Sequence, residues 1–149
     1  MSNLFNTSFE ISLRVLLTLY VTKEDRKTFD YIVAADFITI YSKNFNVADI
    51  NLHGDSEFSF SEFAARRYLT DDAIKSLVLQ NLISISFESN GFYYFITEGG
   101  IDLCNKMTTD YAKTYMKLSK LTNKYLESKT ETEILGLISK ESIRGFQRR

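Results

Sequence analysis

The chain has 149 residues, 44 % hydrophobic and 25 % charged, with a formal net charge of −1 and no proline. Those proportions are those of a globular domain with a substantial core. They exclude a disordered or fibrous protein, and the lone cysteine, Cys104, excludes a disulfide scaffold. Charge is uneven along the chain: residues 1–98 carry eight Lys and Arg against thirteen Asp and Glu, and residues 99–149 carry ten against six.

The N-terminal stretch has no basic region ahead of an apolar one. No apolar run approaches the roughly 20 residues of a membrane span, so a cytoplasmic protein without membrane contact is expected. Ser8–Val21 places Ile11, Val15, Leu16 and Leu19 on one helical face, with Thr7 or Ser8 as N-cap. Thr28–Tyr41 is apolar around most of its circumference, the pattern of a central buried helix. Residues 42–59 form a long polar loop containing His53, and loops of that length are commonly functional or mobile.

Phe60–Leu69 predicts a short third helix. Thr70 then opens a separate helix over 70–82, with Asp71 and Asp72 in its first turn and Ala73, Ile74, Leu77, Val78 and Leu82 on one face. A hairpin follows: Ile83–Phe87 alternates apolar and polar, Asn90-Gly91 is a tight-turn dipeptide, and Phe92–Thr97 returns. Gly99-Gly100 ends the strand. One long helix is expected from Ile101 to about Ser128, with Cys104, Met107, Tyr111, Leu118 and Tyr125 near a seven-residue repeat, and a short amphipathic helix over Glu131–Ile143 precedes a basic end. The expected fold is α+β and mostly helical: a winged-helix domain over 1–98, its 70–82 helix in the recognition position, and a helical extension over 99–149 that packs on it or on a partner.

Catalysis is poorly provided for. His53 is the single histidine, there is no nucleophile elbow or Gly-rich phosphate loop, and the carboxylates sit where solvated helix starts account for them. No catalytic residue, metal site or cofactor is expected. His53 reads as a hydrogen-bond anchor for its loop, and Cys104, among Ile101, Leu103 and Met107, as a small buried hydrophobe. DNA binding fits the winged-helix order, yet Asp71 and Asp72 at the recognition helix and Glu88 at the wing tip would repel phosphate. The basic features that remain are Arg66-Arg67, which nearby acids would pair, and a stripe of Lys113, Lys117, Lys120 and Lys124 that reads as a solvated face or as a contact for DNA or an acidic partner. Tyr93, Tyr94 and Phe95 alternate across a strand, so at least one ring faces outward and marks a candidate protein interface.

Five segments, taken in order and spacing, carry a family resemblance: the run from Leu4 through Phe9, Glu10 and Arg14 to Leu17; the helix Tyr31–Ile38 with Asp36; Leu52-His53-Gly54; Glu62–Arg67; and Tyr93–Glu98. Together they resemble the middle component of ABC-three-component systems, which are similar to the Lamassu type of bacterial anti-phage defence. The resemblance spans about residues 4–126 and leaves the tail after Ser128 unmatched. It implies a non-enzymatic adaptor between an SMC-like or Rad50-like ATPase and an effector, often a nuclease, with DNA met indirectly through the complex. It also implies that Phe9, Glu10, Arg14, Asp36, His53, Arg66 and Arg67 are family-pattern positions. Asp36, in an otherwise apolar helix, must find a buried partner, for which Arg14 or Arg67 is the natural candidate. The alternatives are a stand-alone winged-helix DNA-binding transcriptional regulator and a structural subunit of a chromosome-organising SMC complex.

Overall fold

The computed structural model describes residues 7–54 and 60–147, with side chains over 7–54 and 62–141. Leu4–Asn6 of the first motif, loop residues 55–59 and residues 148–149 lie outside the described residues, as do the side chains of the basic end after Glu141. Helix α1 (Ser8–Val21) starts where Thr7 accepts a hydrogen bond from the Glu10 amide, and α2 (Phe29–Ile40) where Thr28 accepts one from Tyr31. Between them Lys27 makes both backbone hydrogen bonds of an antiparallel bridge to Tyr94, at 2.9 and 2.7 Å.

After α2 the chain folds into a tight hydrogen-bonded turn. Ser42 donates to the Ile50 carbonyl at 2.7 Å, Asn51 accepts from the Lys43 amide, and Asn46 takes a positive φ of 60°, a conformation asparagine tolerates well. The Leu52 amide bonds back to Ile40, which holds the neighbouring His53 against the helices.

Helix α3 (Phe60–Leu79) is one continuous helix, which corrects the expected pair of helices joined at Thr70. Thr70 is buried in its interior, and Phe63, Arg66, Thr70, Ala73, Ile74 and Leu77 form one inward stripe at three- and four-residue spacing. Ala64, beside Phe63, is exposed. Asp71 and Asp72 consequently lie in mid-helix, where Asp71 pairs with Lys75 at 2.9 Å, and no helix start explains them.

Strands β1 (Ile83–Glu88) and β2 (Gly91–Ile96) form the hairpin, with Ile83 opposite Ile96 and Phe87 opposite Phe92. The pairing of Glu88 with Gly91 makes Ser89-Asn90 the turn, and only Gly91, not Asn90, takes a positive φ. Gly99 and Gly100 start a helix: α4 (Glu98–Asn105) is capped by Thr97, which accepts from the Gly100 amide at 3.1 Å. Gly100 packs so closely on the Leu82 carbonyl and Ile96 that a Cβ would collide with both.

The expected single helix over 101–128 is two. After a turn at Lys106–Thr109, α5 (Asp110–Leu126) begins with Thr109 accepting from the Ala112 amide. The heptad spacing runs through this break, but the Thr109-Asp110 cap wins. The buried face of α5 is Ala112, Tyr115, Leu118, Ser119, Thr122 and Leu126, so Tyr115, outside the expected seven-residue repeat, lies on the buried face while Tyr111 and Tyr125 are half-buried. Helix α6 (Glu131–Gln147) starts with a reciprocal capping box: Glu133 N–H donates to the Thr130 hydroxyl and Thr130 N–H to the Glu133 carboxylate, at 3.2 and 2.8 Å.

Two buried apolar clusters share these elements. The first gathers α1 side chains such as Leu16 and Leu19 with Ile74, Leu77, Ile83, Ile96 and Cys104, and the second gathers Phe37, Ile38 and Tyr41 of α2 with Phe63, Leu126 and Ile138. Helix α5 packs on both α1 and α2, while α6 packs on α2. No helix among the described residues is long and apolar enough to cross a membrane.

Candidate functional site

Charges are concentrated where α1 and α2 meet. Arg14, fully buried, donates from Nε to Asp36 Oδ1 at 2.9 Å, and the Tyr115 hydroxyl donates to the same oxygen at 2.8 Å while bonding Thr18 at 2.8 Å on its other side. Arg14 Nη1 donates to the Tyr111 hydroxyl at 3.2 Å, and that hydroxyl lies 2.8 Å from His53 Nε2, with the two rings stacked. Arg66 approaches the other Asp36 oxygen at 3.9 Å and pairs with Glu62 at 3.1 Å, and Glu62 also accepts from the Tyr41 hydroxyl. Arg67, one residue on, faces elsewhere: it binds Asp30 at 2.6 Å and covers the Phe29 ring.

Burial and neighbouring charges shift Arg14, Tyr115 and His53 from their ordinary values. Burial pulls the Arg14 pKa down, but the Asp36 charge and the Tyr111 and Tyr115 hydroxyls outweigh it, and the guanidinium is held charged more firmly than usual. Burial raises Tyr115 well above its ordinary value, with Asp36 adding to the effect. Burial, followed by the Arg14 and Arg66 charges, pushes His53 down to about 3, which leaves it a neutral imidazole at pH 7 that anchors its loop through Tyr111. Burial also raises the Cys104 thiol to about 12, so it packs as an unreactive hydrophobe against α1.

A charge pair removed from water in this way gains little net energy over an apolar pair of the same shape, but losing one partner costs about 3–5 kcal/mol. Arg14, Asp36 and Arg66 therefore hold the orientation of α1, α2, α3 and α5. Among the described residues no group of three or more His, Cys, Asp or Glu is placed to hold a metal ion.

The outward features are of another kind. Lys113, Lys117, Lys120 and Lys124 are all exposed on the side of α5 opposite Tyr115, and among the described residues none joins an ion pair. Three of them, with Met107, Met116 and Leu121, line an open shelf of about 470 Å³.

At the hairpin, Tyr93, Tyr94 and Phe95 are all half-buried. Tyr93 bonds Asn90, Tyr94 is bridged by Lys27, and Arg26 stacks on Phe95 at 4.8 Å. The rings that stand in solvent are Phe87, 78 % exposed, and Phe92, 56 % exposed, stacked at 4.9 Å beyond the half-exposed Ile85. The sequence signal for this pair is the alternation Ile83, Ile85, Phe87, which continues past the point where the body ends. Glu88 at the tip meets Arg26 at 3.4 Å.

The family model for the ABC-three component (ABC-3C) system Middle Component 2 matches residues 4–148, which takes the likeness through the tail that the five sequence segments left unmatched. No curated protein and no solved structure matches the chain.

Proposed function

The chain belongs to the middle component 2 family of ABC-three-component systems, and from that membership we propose that it is a non-enzymatic adaptor of the Lamassu type, linking an SMC-like or Rad50-like ATPase to a nuclease-type effector. One observation carries the reading. His53, Arg14 and Arg66 are spent on the interior and Arg67 on Asp30, whereas the lysine face of α5, which joins no ion pair among the described residues, and the stacked Phe87/Phe92 tip stand in solvent. Exposed apolar rings are the material of protein contact rather than of catalysis, and a row of lysines steers an acidic surface toward the face that carries it.

We read α1, the Lys27 bridge, α2, α3 and the hairpin as a winged-helix core, with α4 to α6 as the extension that closes over it. In that reading α3 as a whole replaces the two short helices expected over 60–82. The setting is a bacterial cell's cytoplasm, and the ATPase meets DNA on the complex's behalf.

The adaptor role is tested by purifying the tagged ATPase with its effector in the presence and absence of this chain. The effector is expected to follow the ATPase only when the chain is present, and recovery that ignores the chain would overturn the role. A second reading, a stand-alone DNA-binding regulator, is favoured by the lysine face alone. It predicts duplex binding by the isolated chain that weakens steeply with salt. Asp71, Asp72 and the Phe87/Phe92 tip argue against it, because carboxylates and bare aromatic rings would face the phosphates.

A further inference from the structure

A groove of about 640 Å³ runs between the N-terminal half of α1, the end of α3, and α4 with the turn that follows it. Leu16 and Leu77 form its buried floor, while Phe9, 73 % exposed, and Leu103, 40 % exposed, stand at its edges with Leu13 and Met107 between. An apolar floor with large apolar side chains left in solvent and a polar border is the anatomy of a protein-contact site. A small-molecule pocket would enclose its walls more completely.

Glu10 also lines this groove. Its Oε2 atom is buried and accepts no hydrogen bond, and among the described residues Glu10 joins no ion pair. The first turn of α1 favours a negative charge there, but the helix supplies no donor to that oxygen. A buried carboxylate oxygen without a donor is costly to leave so, and an Arg or Lys would supply both the donor and the opposite charge. On α1 the apolar wall is Phe9, Leu13 and Leu16, an i, i+4, i+7 stripe of about 10 Å that matches two turns of a second helix laid beside it.

We propose that this groove docks an amphipathic helix of one of the other two subunits, its apolar side chains seated between Phe9, Leu77 and Leu103 and an Arg or Lys reaching Glu10. The proposal rests on the adaptor reading and adds to it a site and a partner chemistry. Phe9 and Glu10 then act in binding, unlike Arg14 one turn along, whose charge is used inside.

The test replaces Phe9 with the photo-crosslinking residue benzoylphenylalanine in the full chain, co-expressed with the ATPase and effector, and maps the crosslinked peptide by mass spectrometry. The expected product is a helical segment of one subunit with a basic residue beside its apolar stripe. Glu10→Lys should lower recovery of that subunit at least about tenfold, and reversing the partner's basic residue to Glu should restore it. Glu10→Gln, which keeps the shape and size of the side chain, should give an intermediate loss with an unchanged melting temperature. If the complex assembles but Phe9 gives no crosslink, or Glu10→Lys leaves recovery unchanged, the groove is not the docking site and the adaptor reading survives. If the wild-type chain assembles with neither subunit, the adaptor reading fails and the site fails with it.

Discussion

Two sets of cations divide this molecule. Arg14 and Arg66 are buried between helices and matched to Asp36, Glu62 and aromatic hydroxyls, whereas Lys113, Lys117, Lys120 and Lys124 stand in water along 12 residues of α5 and, among the described residues, join no ion pair. The first set is planar, multi-donor guanidinium, which suits fixed buried geometry; the second is mobile ammonium, which suits a surface that meets another molecule. The difference separates what the fold needs from what a partner can use, and the two sets should respond oppositely to substitution.

The largest effect is expected at Asp36. Asp36→Ala leaves Arg14 buried beside an empty site and should lower stability by about 3–5 kcal/mol in chemical denaturation. The double replacement Arg14→Leu with Asp36→Leu should cost much less than the two single changes summed, because no lone charge is left inside. A near-additive result would mean that the pair is not the unit described here.

Next comes pH. The His53 pKa is about 3 in the folded chain against 6.5 when unperturbed, so the folded state binds fewer protons. The stability this supplies is fully present above about pH 6.5 and is lost as pH falls toward 3, on the order of 2 kcal/mol by pH 4.5. His53→Gln should flatten that part of the curve relative to wild type; parallel curves would contradict the buried neutral imidazole.

The smallest effects on stability belong outside. Phe87→Ser with Phe92→Ser removes only exposed rings, and it should change stability by less than about 1 kcal/mol while weakening assembly. Charge reversal on the lysine face should stay within about 0.5 kcal/mol.

How far the sequence reveals this division depends on whether local or tertiary physics decides each feature. Helices α1 and α2 are bounded by Thr7 and Thr28, local caps that any helix would use, and the expected ranges follow the observed ones to within a residue. Thr70 carries the same side chain but sits inside α3. With no Gly or Pro nearby the helix continues, and burial against neighbouring helices decides where the hydroxyl goes. The Thr109 cap was legible in principle, but an apolar periodicity that ran across it hid the break between α4 and α5.

The buried pair follows the same logic. A lone Asp in an apolar helix announces that it needs a cation. Whether Arg66 or Arg67 lends the second charge depends on about 100° of helix rotation, which only the packing of α3 fixes. At the hairpin, alternation tells which side chains share a face. How far that face projects past the body is a tertiary matter, and so Phe87 and Phe92 rather than Tyr93 to Phe95 are the exposed rings.

The most direct test of the division between interior and surface charge is one paired measurement on Lys117→Glu with Lys120→Glu: its melting temperature, and the recovery of the other components of its ABC-three-component system co-expressed with it. An unchanged melting temperature with recovery of one partner lowered at least about tenfold is the predicted result. Full recovery of both partners, or a collapse in melting temperature, would contradict the account.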